Sequence, residues 1–367
     1  MTKRPKPRRK WFLAIPVALL IVLPGCQSLG FYSQAIKGQC NIYLSQRPIK
    51  AAMADANVPA EVKEKLGLVL QLREFAEHEL NLKANGHYLK YADLHRRFVV
   101  WNVNAAPEFS LEPKRWWYPV VGKLKYRGYF SEKMARKYGT ALQKDGYDVF
   151  VGGVEAYSTL GWFRDPVLNT FINNTPADLA EIIFHELSHQ RVFAAGDTDF
   201  NEAFATAVAE ESVRRWLQAI GNTNALEQYL VSQERTAQFV QLIDRTRADL
   251  KAIYGDNSDA QGSSKAPSDA EKRKQKQQVI ANLKDRYAEL KTRWGGYAGF
   301  DGWFSRPINN AQLNTIATYY DLVPEFRKLI QANGGDLEKF FKACDGLARL
   351  KDKEERHQAL KRLAGHT

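Results

Sequence analysis

The sequence predicts an α+β fold that is mainly helical, with a small antiparallel or mixed sheet and a long antiparallel helical hairpin. Three observations carry that expectation. Apolar residues recur at helical spacing on both flanks of the chain. A middle stretch from about 96 to 165 is rich in Val, Phe, Trp and Tyr, as strands are. A polar Ser/Gly/Pro loop at 256–269 separates two long apolar stripes.

The first thirty residues place Lys3, Arg4, Lys6, Arg8, Arg9 and Lys10, with no acid among them, ahead of an apolar run from Trp11 to Leu23. Small residues then lead into Cys26. Basic end, short apolar core and small-residue cleavage site are the layout of a secretory signal, here residues 1–25. The run is short for a bilayer span and is broken by Pro16 and Pro24. Those six bases carry half of the formal net charge of +12. The remainder is an ordinary surface, and a nucleic-acid partner is not expected. Leu23-Pro24-Gly25-Cys26 resembles the lipobox of bacterial lipoproteins. That resemblance implies acylation of Cys26 and, with Gln27 rather than Asp next, attachment at the periplasmic face of the outer membrane. Several acyl chains on one residue anchor firmly, at about 0.8 kcal/mol per buried CH₂. Residues 26–55 then read as a tether and 56–367 as one compact domain. In an oxidising compartment Cys40 and Cys344 either pair or remain free.

After the tether, Leu66, Val69, Leu70, Phe75 and Leu80 mark an amphipathic helix within 58–82. "RRFVVWNVNA", "KRWWYPVVGKLKYRGYF" and "YDVFVGGVEAYSTLGWF" supply strands, and "SEKMARKYGTALQKDG" (131–146) is a helix between the last two. From Asn173 to about 254 the pattern is helical, interrupted at "AAGDTDFN". Leu226, Leu230, Phe239, Ile243 and Leu250 precede the polar loop, and Ile280, Leu283, Tyr287, Leu290 and Trp294 follow it. These are the two arms of the hairpin, at about 207–295. The basic "EKRKQKQQ" reads as a solvated helix face near its turn.

The chemistry is concentrated in "EIIFHELSHQRVFAAGDTDFNEAFATAVAEE" (181–211). On a helix, His185 and His189 lie one above the other and can both reach one zinc ion. Glu186 projects to the adjacent flank, where it can take a proton from a water without being a ligand. The third ligand is not the histidine of metzincins, since Val192 and Ala195 stand where Gly and His would be. Glu202, near the start of the next helix in "NEAFA", is the preferred third ligand, with Asp197, Asp199, Glu210 and Glu211 as competitors. Thr206 and Glu210 are candidates to hold the imidazoles from behind. One zinc is expected, with Glu186 as general base and then general acid in hydrolysis of a peptide.

Tyr319 and Tyr320 present phenols on a C-terminal helix, as candidates to stabilise an oxyanion. The stretch 149–157 is the candidate edge strand for aligning a peptide. Within it Gly152-Gly153-Val154-Glu155 resembles the start of the G-x-M-E-N motif of aminopeptidases of the aminopeptidase N class. That resemblance implies substrate contact at Gly152 and Gly153 and a grip on the free α-amine by Glu155, although Ala156 replaces the Asn and Val154 the Met. Taken together, the lipobox, "QAIKGQ" (34–39), "YRGYF" (126–130), "AYSTLGWF" (156–163), "FHELSHQ" and "NEAFA" resemble a family of bacterial lipoproteins labelled predicted aminopeptidases. The resemblance spans essentially the whole mature chain. It implies a gluzincin-like zinc peptidase acting on peptides, with a zincin-like fold and a lipid-anchored body. An envelope endopeptidase and a scaffold lipoprotein with a structural metal are the competing readings. A structural site has no need of Glu186.

Overall fold

A computed structural model of the chain describes residues 26–118, 122–156, 164–255 and 267–365, and of residues 26–29 only the backbone. The signal segment, most of "AYSTLGWF" and most of the polar loop at 256–269 lie outside the described residues. The chain divides into two units, residues 1–44 and 45–367. The first contributes one helix, α1 (Cys26–Leu44). Among the described residues no helix is long and apolar enough to cross a membrane.

Residues 45–55, expected in the tether, belong instead to the larger unit. Strand β1 (Gln46–Pro48) pairs antiparallel with β2 (Lys90–Ala92), and helix α2 (Ile49–Ala54) buries Ile49 and Ala52. Helix α3 (Ala60–Glu79) realises the first amphipathic pattern, burying Leu66, Val69, Leu72 and Ala76. β8 (Val167–Leu168) joins β2 in parallel and completes a small mixed sheet. A second sheet has the order β6-β3-β7, with β3 (Val100–Pro107) between β6 (Arg127–Tyr129) and β7 (Tyr147–Val154), all antiparallel. β4 (Trp116–Tyr118) and β5 (Gly122–Leu124) form a two-stranded ribbon. Helix α4 (Glu132–Lys144), capped by Ser131, packs on β7, and Gly139 admits the side chains of Val149 and Val151. The α+β, mainly helical class is therefore the observed one.

The helical half begins with α5 (Pro176–Ser188), started by a Thr175 cap with Pro176 at its first position. α6 (Thr198–Ala219) returns antiparallel to it after a turn. α7 (Thr223–Tyr254) and α8 (Asp269–Arg293) are the arms of the expected hairpin. Its first arm starts at Thr223, not near 207. Gly221, at φ +67°, and the Asn222 cap break the helix there and leave residues 207–219 to α6. The short α9 (Asp301–Phe304) is followed by α10 (Asn310–Tyr320), which packs on β3, β7 and α6. α11 (Val323–Ala332), α12 (Leu337–Ala348) and α13 (Lys353–Ala364) close the unit. Phe200 and Phe204 of α6 pack edge-on to Phe326, and Phe204 stacks on Phe340 at 5.8 Å. This aromatic core makes α6 a rigid platform. Both Cys40 and Cys344 are free thiols, the first exposed and the second buried.

Candidate metal centre

Leu179, Ile183, Phe184 and Leu187 seat α5 in the core, and that seating turns His185 and His189 toward α6. The chain then folds back through residues 189–197. Gly196 takes φ +78°, and the buried Asn201 side chain staples the turn, accepting from the Ala194 N–H at 2.8 Å and donating to its carbonyl at 2.9 Å. The Asn of "NEAFA" is thus a structural residue, and the next residue, Glu202, faces both histidines.

His185 Nε2 lies 3.2 Å and His189 Nε2 3.7 Å from the same oxygen of Glu202. The three ligand atoms sit within 4.8 Å of one another. Tetrahedral zinc bonds of about 2.0–2.1 Å separate ligand atoms by about 3.3 Å. The two distances to Glu202 bracket that value, and the three donors together could hold one metal ion. Two buried atoms at the site, Glu186 Oε2 and His189 Nδ1, have no hydrogen-bond partner among the described residues. Burial without a partner is costly and marks groups kept for a ligand or a reaction.

The electrostatics follow from burial. Burial raises the Glu186 carboxyl to about 8, with Glu202 and Asp165 adding to the effect against the pull of His185. Burial likewise holds His189 down to about 4, in its neutral form. Burial also opposes charge on His185 and Glu202. The hydrogen bond and charge of Glu202 outweigh it at His185, raising it. The attraction of His189 and the hydrogen bond of His185 outweigh it at Glu202, lowering it.

The competitors for third ligand are committed elsewhere. Asp197 caps α6 and is 1% exposed, with Arg356 Nη1 at 2.6 Å and His357 Nε2 at 3.0 Å. Asp199 is paired with Lys125 at 2.5 Å and Lys353 at 2.6 Å. Arg327 holds Glu210 with two bonds of 2.7 Å, and Glu211 is taken by Arg214 and Arg215. Neither Glu210 nor Thr206 hydrogen-bonds an imidazole among the described residues, so the expected support from behind is not found there.

The two tyrosines separate. Tyr319 lies beside His185, the two rings 6.5 Å apart, and the charge of Glu202 together with burial pushes its acidity far down. Tyr320 belongs to a neighbouring box, where burial and the charges of Glu181 and Glu210 keep it neutral. Glu181, one turn before His185, accepts from the Tyr229 hydroxyl at 2.9 Å and is raised to about 7, first by burial and then by Glu210.

The strand motif is not brought to the ligands. Glu155 accepts from Asn174 at 3.1 Å, ahead of the start of α5, while His185 and His189 sit at its other end. Ten residues at 1.5 Å rise separate Thr175 from His185 by about 15 Å. Gly152 and Gly153 are packing requirements: an added Cβ would stand 2.8 Å from Phe150 in the first case and collide with the Phe98 ring in the second. β7 is an edge strand as expected, yet Asn309 already donates to the Val149 carbonyl at 3.0 Å and Arg306 to that of Val151 at 3.4 Å.

Two residues beside the site went unassigned in the sequence reading. Tyr88, buried at φ +56°, is pushed up by burial and by the charges of Glu186 and Asp165. Tyr126, in the bend between β5 and β6, is raised by burial and then by Glu202. "YRGYF" held the second of these, but no spacing rule connects it to α6.

Comparison with curated proteins and with solved structures gave no match. A family described as "Putative aminopeptidase" matches residues 30–360, which takes in α5, α6, α10 and two thirds of α13. With His185, His189, Glu202, the flanking Glu186 and the helices that hold them all inside that span, the chain belongs to this aminopeptidase family.

Proposed function

We propose that this protein is a zinc-dependent aminopeptidase, tethered through Cys26 at the periplasmic face of the outer membrane. The observation that carries the reading is the triad of His185, His189 and Glu202 at tetrahedral spacing, with the unpartnered Glu186 beside it. Imidazole and carboxylate donors suit zinc. When bound, the ion would lower the pKa of a water toward about 7 and polarise a peptide carbonyl. Glu186 then takes the proton of the attacking water and delivers it to the leaving amine. Its raised pKa suits a group that must hold and release a proton near neutrality. Tyr319, neutral and beside His185, orders the site from α10.

The test is zinc content of the chain from Gln27 onward, with fluorophore release from aminoacyl substrates, for wild type and Glu186→Gln. One zinc in both and turnover in wild type alone is the expected result. Absence of zinc from both would sink the proposal. An endopeptidase reading is favoured by one observation, that the Glu155 carboxylate is taken up by Asn174, ahead of the start of α5. N-acetylated peptides distinguish the two, since an aminopeptidase does not cleave them.

A further inference from the structure

Helix α5 carries a further carboxylate on the face that bears the histidines. Glu181 lies one turn before His185, so the two side chains stand one above the other on the same side of the helix. Both are half-buried, and each keeps some surface open to solvent.

The groups around Glu181 hold it without neutralising it. Its Oε2 accepts from the Tyr229 hydroxyl at 2.9 Å and from the Gln233 amide at 3.5 Å, both of them neutral donors on α7. Arg327 reaches the other end of the same Gln233 at 3.4 Å, but its two short bonds, of 2.7 Å each, go to Glu210. Among the described residues no lysine or arginine pairs with Glu181. Burial and then the charge of Glu210 raise it to about 7, as expected of a carboxyl with no such partner. The network is supplied with hydrogen-bond donors and short of one positive charge.

We propose that Glu181 determines specificity at the metal centre, its carboxylate receiving the positively charged side chain of a peptide's N-terminal lysine or arginine. This rests on the peptidase reading above. Length decides between the two cations that such a residue brings. The carbonyl to be cleaved must sit where His185 and His189 converge. Leu187 is midway between them, six positions beyond Glu181, and so about 9 Å away along the axis at 1.5 Å per residue. Helical side chains lean toward the N-terminus, so Glu181 does not shorten that gap. The α-nitrogen is only two bonds from the carbonyl carbon, about 2.5 Å. The ammonium of lysine stands at the end of a four-carbon stem, and the guanidinium of arginine reaches as far. Only the side-chain charge spans the distance.

The test uses the full chain, loaded with zinc, at pH 8, where Glu181 is mostly ionised. Fluorogenic substrates carry lysine, arginine, leucine or norleucine, which has the lysine stem without its charge; all four share a free α-amine. In wild type, kcat/KM for lysine and arginine should exceed that for norleucine by about 10- to 100-fold, the range of one charge-assisted hydrogen bond. Glu181→Gln keeps an acceptor for Tyr229 and should bring the lysine-to-norleucine ratio within about threefold of one, with zinc content as in wild type. The wild-type ratio needs no variant to fold. A wild type that turns over norleucine as fast as lysine overturns the inference and leaves the peptidase reading standing. So does a Glu181→Gln enzyme that keeps the wild-type ratio. Equal loss on lysine and norleucine in that variant also overturns it, because it would put the carboxylate on the amine they share. A wild type that holds zinc and turns over none of the four overturns the peptidase reading, and this inference with it.

Discussion

Two antiparallel helix pairs in this molecule are built alike and balanced differently. The α7–α8 hairpin buries Phe239, Leu242, Ile243, Leu250, Leu283, Tyr287 and Leu290 against one another, and Ser268 and Glu271 close a capping box at the start of α8. Its buried phenols find partners, Tyr254 at Asn310 and Tyr287 at Asp301. The α5–α6 pair buries His189, Glu210 and, at its turn, Asp197, half-buries His185, Glu186 and Glu202, and among the described residues leaves Glu186 Oε2 and His189 Nδ1 without partners. The first pair is a solution to packing. The second gives up stability in one place and recovers it from the cations of α13 and from Lys125, which surround the start of α6. Such an unbalanced pair is what chemistry requires and packing alone does not.

The largest effect should come from the unbalanced carboxylate. Glu186→Gln is expected to lower turnover by at least about 10³-fold, within the range for a lost general base. It should also stabilise the metal-free protein at high pH. Held at about 8, Glu186 favours the protonated form in the fold. Its contribution is therefore fully present below the ordinary carboxylate range and is lost as pH rises through 8. Relative to the variant, metal-free wild type should lose on the order of 3 kcal/mol between pH 5 and 9. Urea midpoints in chelator at both pH values measure it. Equal midpoint differences at the two pH values would remove the contrast between the pairs.

Next is the brace that compensates the imbalance. Arg356 is 3% exposed and meets an Asp197 that is 1% exposed, so Arg356→Met leaves a buried carboxylate with His357 and the Phe200 N–H as its partners among the described residues. A loss of about 3 kcal/mol is expected. Zinc affinity should also weaken about tenfold, as when groups that orient a ligand are removed. Chelator competition below the melting range separates the two effects. The hairpin supplies the opposite case. Leu283→Ala removes a fully buried side chain and should cost about 2–3 kcal/mol with zinc affinity unchanged. If zinc affinity fell with it, the two pairs would be one mechanical unit and the comparison would break.

Legibility in the sequence follows the same division. His185, Glu186 and His189 were legible because a helix puts i and i+4 on one face, and Glu202 because it opens the next helix in "NEAFA". Excluding Asp197 and Asp199 was out of reach, since their partners on α13 lie more than 150 residues further along the chain. Hydrophobic period found both arms of the hairpin but ran past the Gly221-Asn222 break, where the turn chemistry was present and outweighed by the stripe. Residues 46–54 were read as tether because a three-residue strand has no period to detect. Gly152 and Gly153 matched a motif for a reason of packing, against Phe150 and Phe98, that no motif encodes.

The smallest expected effect sharpens the comparison most. If Glu155 gripped the substrate's α-amine, its removal would cost a charge-assisted bond, about 1.5–3 kcal/mol, and would raise KM for unblocked peptides more than tenfold. Its observed place argues otherwise. The carboxylate is bound by Asn174 and its own carbonyl accepts from Thr170, so the residue ties the end of β7 to the segment leading into α5. That is the balanced end of the helix, about 15 Å from the unbalanced one. Glu155→Gln keeps an acceptor for Asn174 and should change kcat/KM for a free-amine substrate less than about threefold, about 0.6 kcal/mol. A tenfold rise in KM confined to unblocked peptides would reverse this, because it would mean that the substrate reaches along α5 to the end that the hydrogen bonds mark as structural.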